Sequence, residues 1–245
     1  MMLRHFLWLV VVLLSVAAPA VAGDRVRIFV TLPAGQPITI RPDRAYILFR
    51  TRRGAGEPSA RPVLMRVVPA GTTEQSRAPN VQNVDGKPSA TGEGGDFYLV
   101  EVPPGDYVLY GITNNNYMTV CNCLGTVGFS APAGRIVDVG TYLADQASGK
   151  SKVPELAAES GFGASIYGSN LFLVATLVPV RPDSPIMPGV DPTGIVTADF
   201  RVIGTYPNNG SFYINRLAPI PGVLAYGPDG QVIDVKRGVE VPAFE

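Results

Sequence analysis

Cys121-Asn122-Cys123, with Met118 three residues upstream of the first cysteine, gathers both cysteines of the chain and one of its five methionines in one short string. Two thiols one residue apart support three chemistries. They can close a small disulfide, exchange with the thiols of a substrate if that disulfide is strained and reachable, or join Met118 in holding copper(I), which favours thiolate and thioether ligands. On an extended strand, residues i and i+2 project to the same side with their Cβ atoms farther apart than the ~3.8 Å a disulfide prefers. Closure therefore needs a turn, and the Leu124-Gly125 that follows permits one. Neighbouring thiols in an oxidising compartment pair, so a local Cys121–Cys123 disulfide pinning a turn is the expected state. Dithiol enzymes embed Cys-x-x-Cys in a βαβ pattern that is not seen here. A soft-metal (copper) or thiol-handling role through Met118, Cys121 and Cys123 stays open as an alternative.

Carboxylates offer the next possibility. A glycosidase or lyase needs two of them about 5–10 Å apart across a cleft. Asp96, Glu101 and Asp106 flank one strong hairpin pattern, but acids beside turns ordinarily cap backbone N–H groups or face water. Asp191-Pro192-Thr193-Gly194 differs from the Asp-Thr-Gly of aspartic proteases by the inserted proline and occurs once. Gly161-Phe162-Gly163-Ala164-Ser165 has its glycines in the wrong places for a nucleophile elbow. No Walker loop or dinucleotide fingerprint is present. No catalytic residue and no cofactor is expected.

The single histidine, His5, and the single tryptophan, Trp8, both lie in what reads as an export signal. Arg4 supplies the basic flank, Phe6 to Leu14 the apolar run, and Ala20-Val21-Ala22 before Gly23 the small-residue cleavage site. The run is shorter than the about 20 apolar residues a membrane-spanning helix needs. The expected mature chain starts at Gly23, is periplasmic or secreted, and lacks imidazole. A Ser-His-Asp or Cys-His site and a His-ligated metal centre are then excluded. The full chain has 20 basic and 20 acidic residues and only 16% charged residues. Nothing in that balance would steer it onto nucleic acid.

The elements that must position these residues are strands. Twenty-seven glycines and 23 prolines separate short apolar stretches, which argues for a turn-rich β fold. Strands are expected over Val26–Leu32, with Val26, Ile28, Val30 and Leu32 on one face, and over Ala45–Thr51, Pro62–Val68, Phe97–Val102, Tyr107–Thr113, Tyr117–Val120, Thr126–Ser130, Arg135–Val139, Leu171–Val180 and Gly222–Tyr226. Pro-x-Gly strings at 33–35, 69–71, 103–105 and 132–134 read as tight reversals. Pro228-Asp229-Gly230 reads as a hairpin turn leading into Gln231–Val235. Ala70–Gly95 is expected to be a long loop, 147–152 a linker, and 153–160 one short helix with Pro154 in its first turn. The organisation expected is a signal over 1–22, a sandwich over 23–146 and a β-rich region over 153–245.

The stretch from Gly94 to Leu109, with its Val102-Pro103-Pro104-Gly105-Asp106-Tyr107 core, resembles the strand–Pro-x-Gly-x-Tyr–strand hairpin of prealbumin-like and carboxypeptidase-regulatory-like β-sandwiches of bacterial envelope proteins. Ala133–Gly140 is similar to a following strand of such domains. The resemblance covers about Asp24 to Asp145. It implies a sandwich of seven or so strands with no catalytic residues to transfer.

The fold expected is thus all-β, an antiparallel sandwich with a β-rich C-terminal extension or a second small β domain. The function expected is a structural or interaction role in the envelope, the partner being another envelope protein or a cell-wall glycan. A carbohydrate-binding module with Tyr98, Tyr107, Tyr110, Tyr117, Tyr206, Tyr213 and Tyr226 as a stacking platform is an alternative, although alternating tyrosines on strands are more often half-buried sheet surface. A His-free carboxylate enzyme is another. A small outer-membrane barrel is disfavoured, because even strand spacing and aromatic girdles are missing from the pattern.

Overall fold

The computed structural model describes residues 29–35, 37–51, 61–68, 81–92, 95–113, 119–146, 173–208, 211 and 213–243. The segments expected as a signal (1–22), a linker (147–152) and a short helix (153–160), together with Tyr117, Met118 and the Gly161–Ser165 string, lie outside them. The protein is all-β, a sandwich whose strands do not close into a barrel. In chain order the strands are β1 (Phe29–Val30), β2 (Ala45–Thr51), β3 (Arg61–Val67), β4 (Val81–Asp85), β5 (Ala90–Gly92), β6 (Gly95–Val102), β7 (Gly105–Thr113), β8 (Thr119–Cys121), β9 (Thr126–Ala131), β10 (Ile136–Gln146), β11 (Leu173–Val178), β12 (Ile195–Thr197), β13 (Arg201–Ile203), β14 (Tyr213–Ile214), β15 (Leu224–Tyr226), β16 (Val232–Asp234) and β17 (Val239–Glu240).

One sheet runs β1-β4-β3-β7-β8-β14, with β9 beside β7 and β13 beside β9. The facing sheet runs β11-β10-β2-β6-β5, with β12 beside β10. A third, small sheet, β15-β16-β17, belongs to the C-terminal part. Most pairings are antiparallel; β1 with β4, β10 with β2, β10 with β12 and β14 with β8 are parallel.

Alternation along the strands builds the core. Ala45, Ile47 and Phe49 of β2 face Tyr107, Leu109, Val127 and Phe129 of the opposite sheet across the sandwich. Leu217, Ile220, Val223, Leu224 and Val232 extend the same core, so the C-terminal region packs onto the sandwich. The other face of β2, carrying Tyr46 and Leu48, is covered by Leu32, Ile38, Ile40, Met187, Val190 and Ile195. With both faces buried, β2 reads as a nearly unbroken apolar run. The outer face of the other sheet is covered in the same way, with Tyr206, Ile203 and Ile214 packed around Val63, Val108 and Tyr110.

Two expectations are corrected. The stretch 70–95 is not one loop, since β4 and β5 fall within it, turning at Gly86. β4 reads Val-Gln-Asn-Val-Asp, and its polar members hid the strand. In the first strand Val30 departs from its expected apolar face: it is 61% exposed, while Phe29 and Thr31 are buried and Leu32 packs on the outer face of β2; Val26 and Ile28 lie outside the described residues. Phe29 packs edge-on against Tyr107 with ring centroids 6.0 Å apart, and Thr31 Oγ1 donates to Lys87 O at 2.7 Å. Those two anchors turn Phe29 and Thr31 inward and leave Val30 facing out.

The β6–β7 hairpin shows why Pro-Pro-Gly-Asp-Tyr is written as it is. Tyr107 is buried at the top of β7, and its hydroxyl donates to Pro103 O at 2.6 Å. The ring thus fills the core while its polar end ties down the turn. The Pro228-Asp229-Gly230 turn joins β15 to β16 as expected, with Tyr226 opposite Val232 and Gly230 at φ 82°.

Candidate functional site

Cys121 ends β8, and Cys123 lies in the turn that leads to β9. Their Cα atoms are 5.2 Å apart and their sulfurs lie within disulfide-bonding distance. The pinch aims backbone polar groups at the segment 206–217. Asn215 N donates to Cys121 O at 2.7 Å, Tyr206 N to Cys123 O at 2.9 Å, and Leu124 N to Asn215 O at 2.9 Å. Both cysteines are sealed, 0% and 2% exposed, among Val63, Val108, Tyr110 and Tyr206. A site that trades thiols or loads copper needs reachable sulfur, so this arrangement favours a staple under the covering segment.

The three hairpin acids go to three places. Asp96 is buried near the start of β6 and accepts from Thr91 Oγ1 at 2.9 Å. Glu101 lies five residues further along the same strand, about 16 Å away at strand rise, too far for a carboxylate dyad. It accepts from the Tyr46 hydroxyl at 3.2 Å and faces Arg41 at 3.4 Å and Arg44 at 3.5 Å. Asp106 pairs with Arg201 at 3.0 Å and accepts from Ser130 Oγ at 2.5 Å. Asp191 caps a short 3-10 turn over Pro192–Gly194, taking the Thr193 N–H at 2.9 Å and its hydroxyl at 2.8 Å. Those bonds hold its carboxyl below the usual range.

The tyrosines form no exposed platform among the described residues. Tyr98, Tyr107, Tyr110 and Tyr206 are buried, Tyr98 stacked on Phe49 with centroids 5.0 Å apart. Burial, with Tyr110 and Tyr226 nearby, pushes the Tyr206 hydroxyl well above its ordinary range. Tyr226 is half-buried, its face covered by the Arg216 guanidinium at 4.2 Å.

What the fold does assemble is a cleft of about 270 Å³ at the end of the sandwich that carries the Pro103-Pro104 and Pro132–Gly134 turns. Strand register brings Val67 opposite Asp106 and Asp106 opposite Ser130. The next row runs Met65–Val108–Gly128–Arg201 across four strands. Gly128 is the close-approach point of that row: a Cβ there would sit 2.9 Å from the Tyr107 backbone oxygen, nearer than side chains come, and 3.5 Å from the Ile203 side chain. The floor is aliphatic, from Val67, Val108, Ile203 and Val241. One wall carries the Arg201–Asp106 pair; the other, from the C-terminal sheet, carries Arg237 and Asp234, 3.6 Å apart. Asp234 also accepts the Arg237 backbone N–H at 3.1 Å. Of these charged residues the sequence pointed only to Asp106. Arg201, Asp234 and Arg237 carry no local signal, because the cleft is assembled from residues between 67 and 241.

Among the described residues no three His, Cys, Asp or Glu side chains gather as a metal-binding group, and no helix is long and apolar enough to cross a membrane. Compared with models of known protein families, with curated proteins and with solved structures, the chain matches none.

Proposed function

We propose that this chain is an exported, non-catalytic β-sandwich of the cell envelope that works by binding, with its contact face at the turn-bearing end around the Gly128 cleft. The partner class is another envelope protein or a cell-wall glycan. The resemblance of the β6–β7 hairpin to prealbumin-like envelope sandwiches belongs to the same reading. One observation carries it: both carboxylates lining the cleft are engaged by guanidinium groups, Asp106 by Arg201 and Asp234 by Arg237. A general base needs a carboxylate free to take the substrate's proton. Paired charges above an aliphatic floor suit recognition.

The test is site-specific photocrosslinking in the living host. A benzoylphenylalanine replaces Val67, 37% exposed on the cleft, or Ile186, 57% exposed on the segment covering the opposite sheet. The expected result is a discrete adduct from position 67 and none from 186. Equal adducts from both, or none from 67, overturn the placement of the contact face.

A further inference from the structure

We infer that Tyr206–Asn208 and Tyr213–Asn215 form a strap that gates thiol–disulfide exchange at Cys121 and Cys123. The bond is made by a disulfide-carrying exchange partner while the strap is open, and closure then shuts it away. The inference does not depend on the contact face proposed above.

Three observations carry it. First, both cysteines are out of reach in the closed fold, 0% and 2% exposed. Tyr206 belongs to that seal, and Pro207 O lies 3.8 Å from Cys123 Sγ. Exchange requires an attacking thiolate to reach a disulfide sulfur, so it waits for the strap to lift. Second, the strap is tied to the cysteine turn itself and to β7 beside it. Asn215 N donates to Cys121 O and Tyr206 N to Cys123 O. The Tyr206 hydroxyl donates to Tyr110 O at 3.3 Å, and the Tyr110 hydroxyl to Asn208 Oδ1 at 3.2 Å. Third, the strap can lift without the sandwich coming apart. β14 is two residues long, ends its sheet, and among the described strands pairs with β8 alone. Val202 before the strap and Leu217 after it are buried in the main core, so its ends stay anchored. Local opening is drawn from short outer pieces of this kind.

The chemistry is a two-step exchange. The thiolate of one cysteine attacks the partner's disulfide, forming a mixed disulfide and releasing one partner thiolate. The second cysteine attacks the chain's own sulfur in that mixed disulfide, closing Cys121–Cys123 and releasing the other partner thiolate. The partner leaves as a dithiol, carrying the two electrons and the two protons that the cysteines gave up. Reduction by a dithiol runs the same steps backwards through the same open state, so the rate of reduction reports on the gate in both directions. The strap follows the pair in the chain. A chain made N-terminus first therefore presents both thiols before the strap exists.

The experiment treats the oxidised chain, purified from the host envelope, with dithiothreitol and counts new thiols by alkylation and intact mass. The folded chain is expected to be reduced at least about a hundredfold more slowly than the same chain unfolded in urea. Tyr206→Ala is expected to speed reduction of the folded chain at least about tenfold. Gly140→Ala loosens the facing sheet, where a Cβ would overlap Val178 O, and is expected to leave the rate as it is. Should Tyr206→Ala not fold, Tyr206→Phe keeps the ring, drops the bond to Tyr110 O, and is expected to speed reduction about fivefold. Folded and unfolded chains reduced at one rate overturn the seal and the inference with it. Equal acceleration by Gly140→Ala and the Tyr206 variant means that the whole sandwich must unfold, and overturns the strap. A Tyr206 variant reduced at the parent's rate, or a purified chain whose thiols are already free, overturns the inference as well.

Discussion

Arg50 and Asp138 meet inside the protein, Nη2 2.8 Å from Oδ1 and 88 residues apart in the chain. Arg50 lies on β2 and Asp138 on the neighbouring β10. The second guanidinium nitrogen, Nη1, donates to Pro185 O at 2.6 Å. The pair thereby holds the segment that buries Met187 against the outer face of the sheet. Asp138 takes the Gly140 N–H at 2.8 Å as well.

Removing one partner leaves a buried charge alone. Arg50→Ala or Asp138→Ala is expected to cost about 3–5 kcal/mol, read from urea unfolding. Replacing both together with Met and Leu is expected to come out near neutral, because desolvating the pair offsets most of its attraction. A single variant that unfolds at the same urea concentration as the parent contradicts the assignment.

The same carboxyl sets a pH dependence. Burial raises Asp138 above its ordinary range, against the pull of Arg50 and of the Gly140 N–H. The folded chain therefore takes up this proton at a higher pH than the unfolded chain. Between the two values the folded state binds more protons, and this group's contribution to stability falls as pH rises through the window. Relative to Asp138→Asn, the native protein should gain stability as pH drops through that window towards about 4, the ordinary carboxyl range. Paired denaturation curves of the two proteins check this, and a pH-independent difference speaks against it.

Gly140 makes the pairing possible. The register of β10 on β2 shifts between Asp138 and Thr141, a bulge with Gly140 at φ 91°. A Cβ at that position would overlap Val178 O. Gly140→Ala forces a left-handed conformation on alanine and a backbone collision together. It is expected to destabilise by more than about 1 kcal/mol, measured by the thermal midpoint.

Tyr107→Phe isolates the turn tie from the ring. The phenyl keeps its place between Phe29 and Phe129, while the bond to Pro103 O disappears. A loss of about 1 kcal/mol is expected by urea unfolding. No change would mean that the hydroxyl is idle.

The sequence disclosed strands where the residues speak locally. Ala45–Thr51 is legible because five apolar residues precede a polar end, and the Pro228–Gly230 hairpin because proline and glycine dictate the reversal. The cysteine turn was legible in the one-residue spacing of Cys121 and Cys123 and the Leu124-Gly125 that follows. β4, β12, β13 and β14 were hidden, being two to five residues long, with polar members or without enough apolar ones to set a period. Their place is decided by strands far off in the chain, such as β9 for β13. The cleft was hidden for the same reason: Arg201 and Arg237 look like any exposed arginine until register places one of them on the Gly128 row. Val30 shows the opposite failure, an apolar residue left facing out by the Phe29–Tyr107 contact.

The proposed role requires a chain that works outside the cytoplasm, stripped of His5 and with Cys121 joined to Cys123. The intact mass of material recovered from the host envelope, alkylated without and then with reductant, tests all of this at once. The predicted result is a chain beginning at Gly23 that takes up no alkyl group before reduction and two after unfolding and reduction. A chain beginning at Met1, or one that takes up two alkyl groups before any reductant is added, contradicts it.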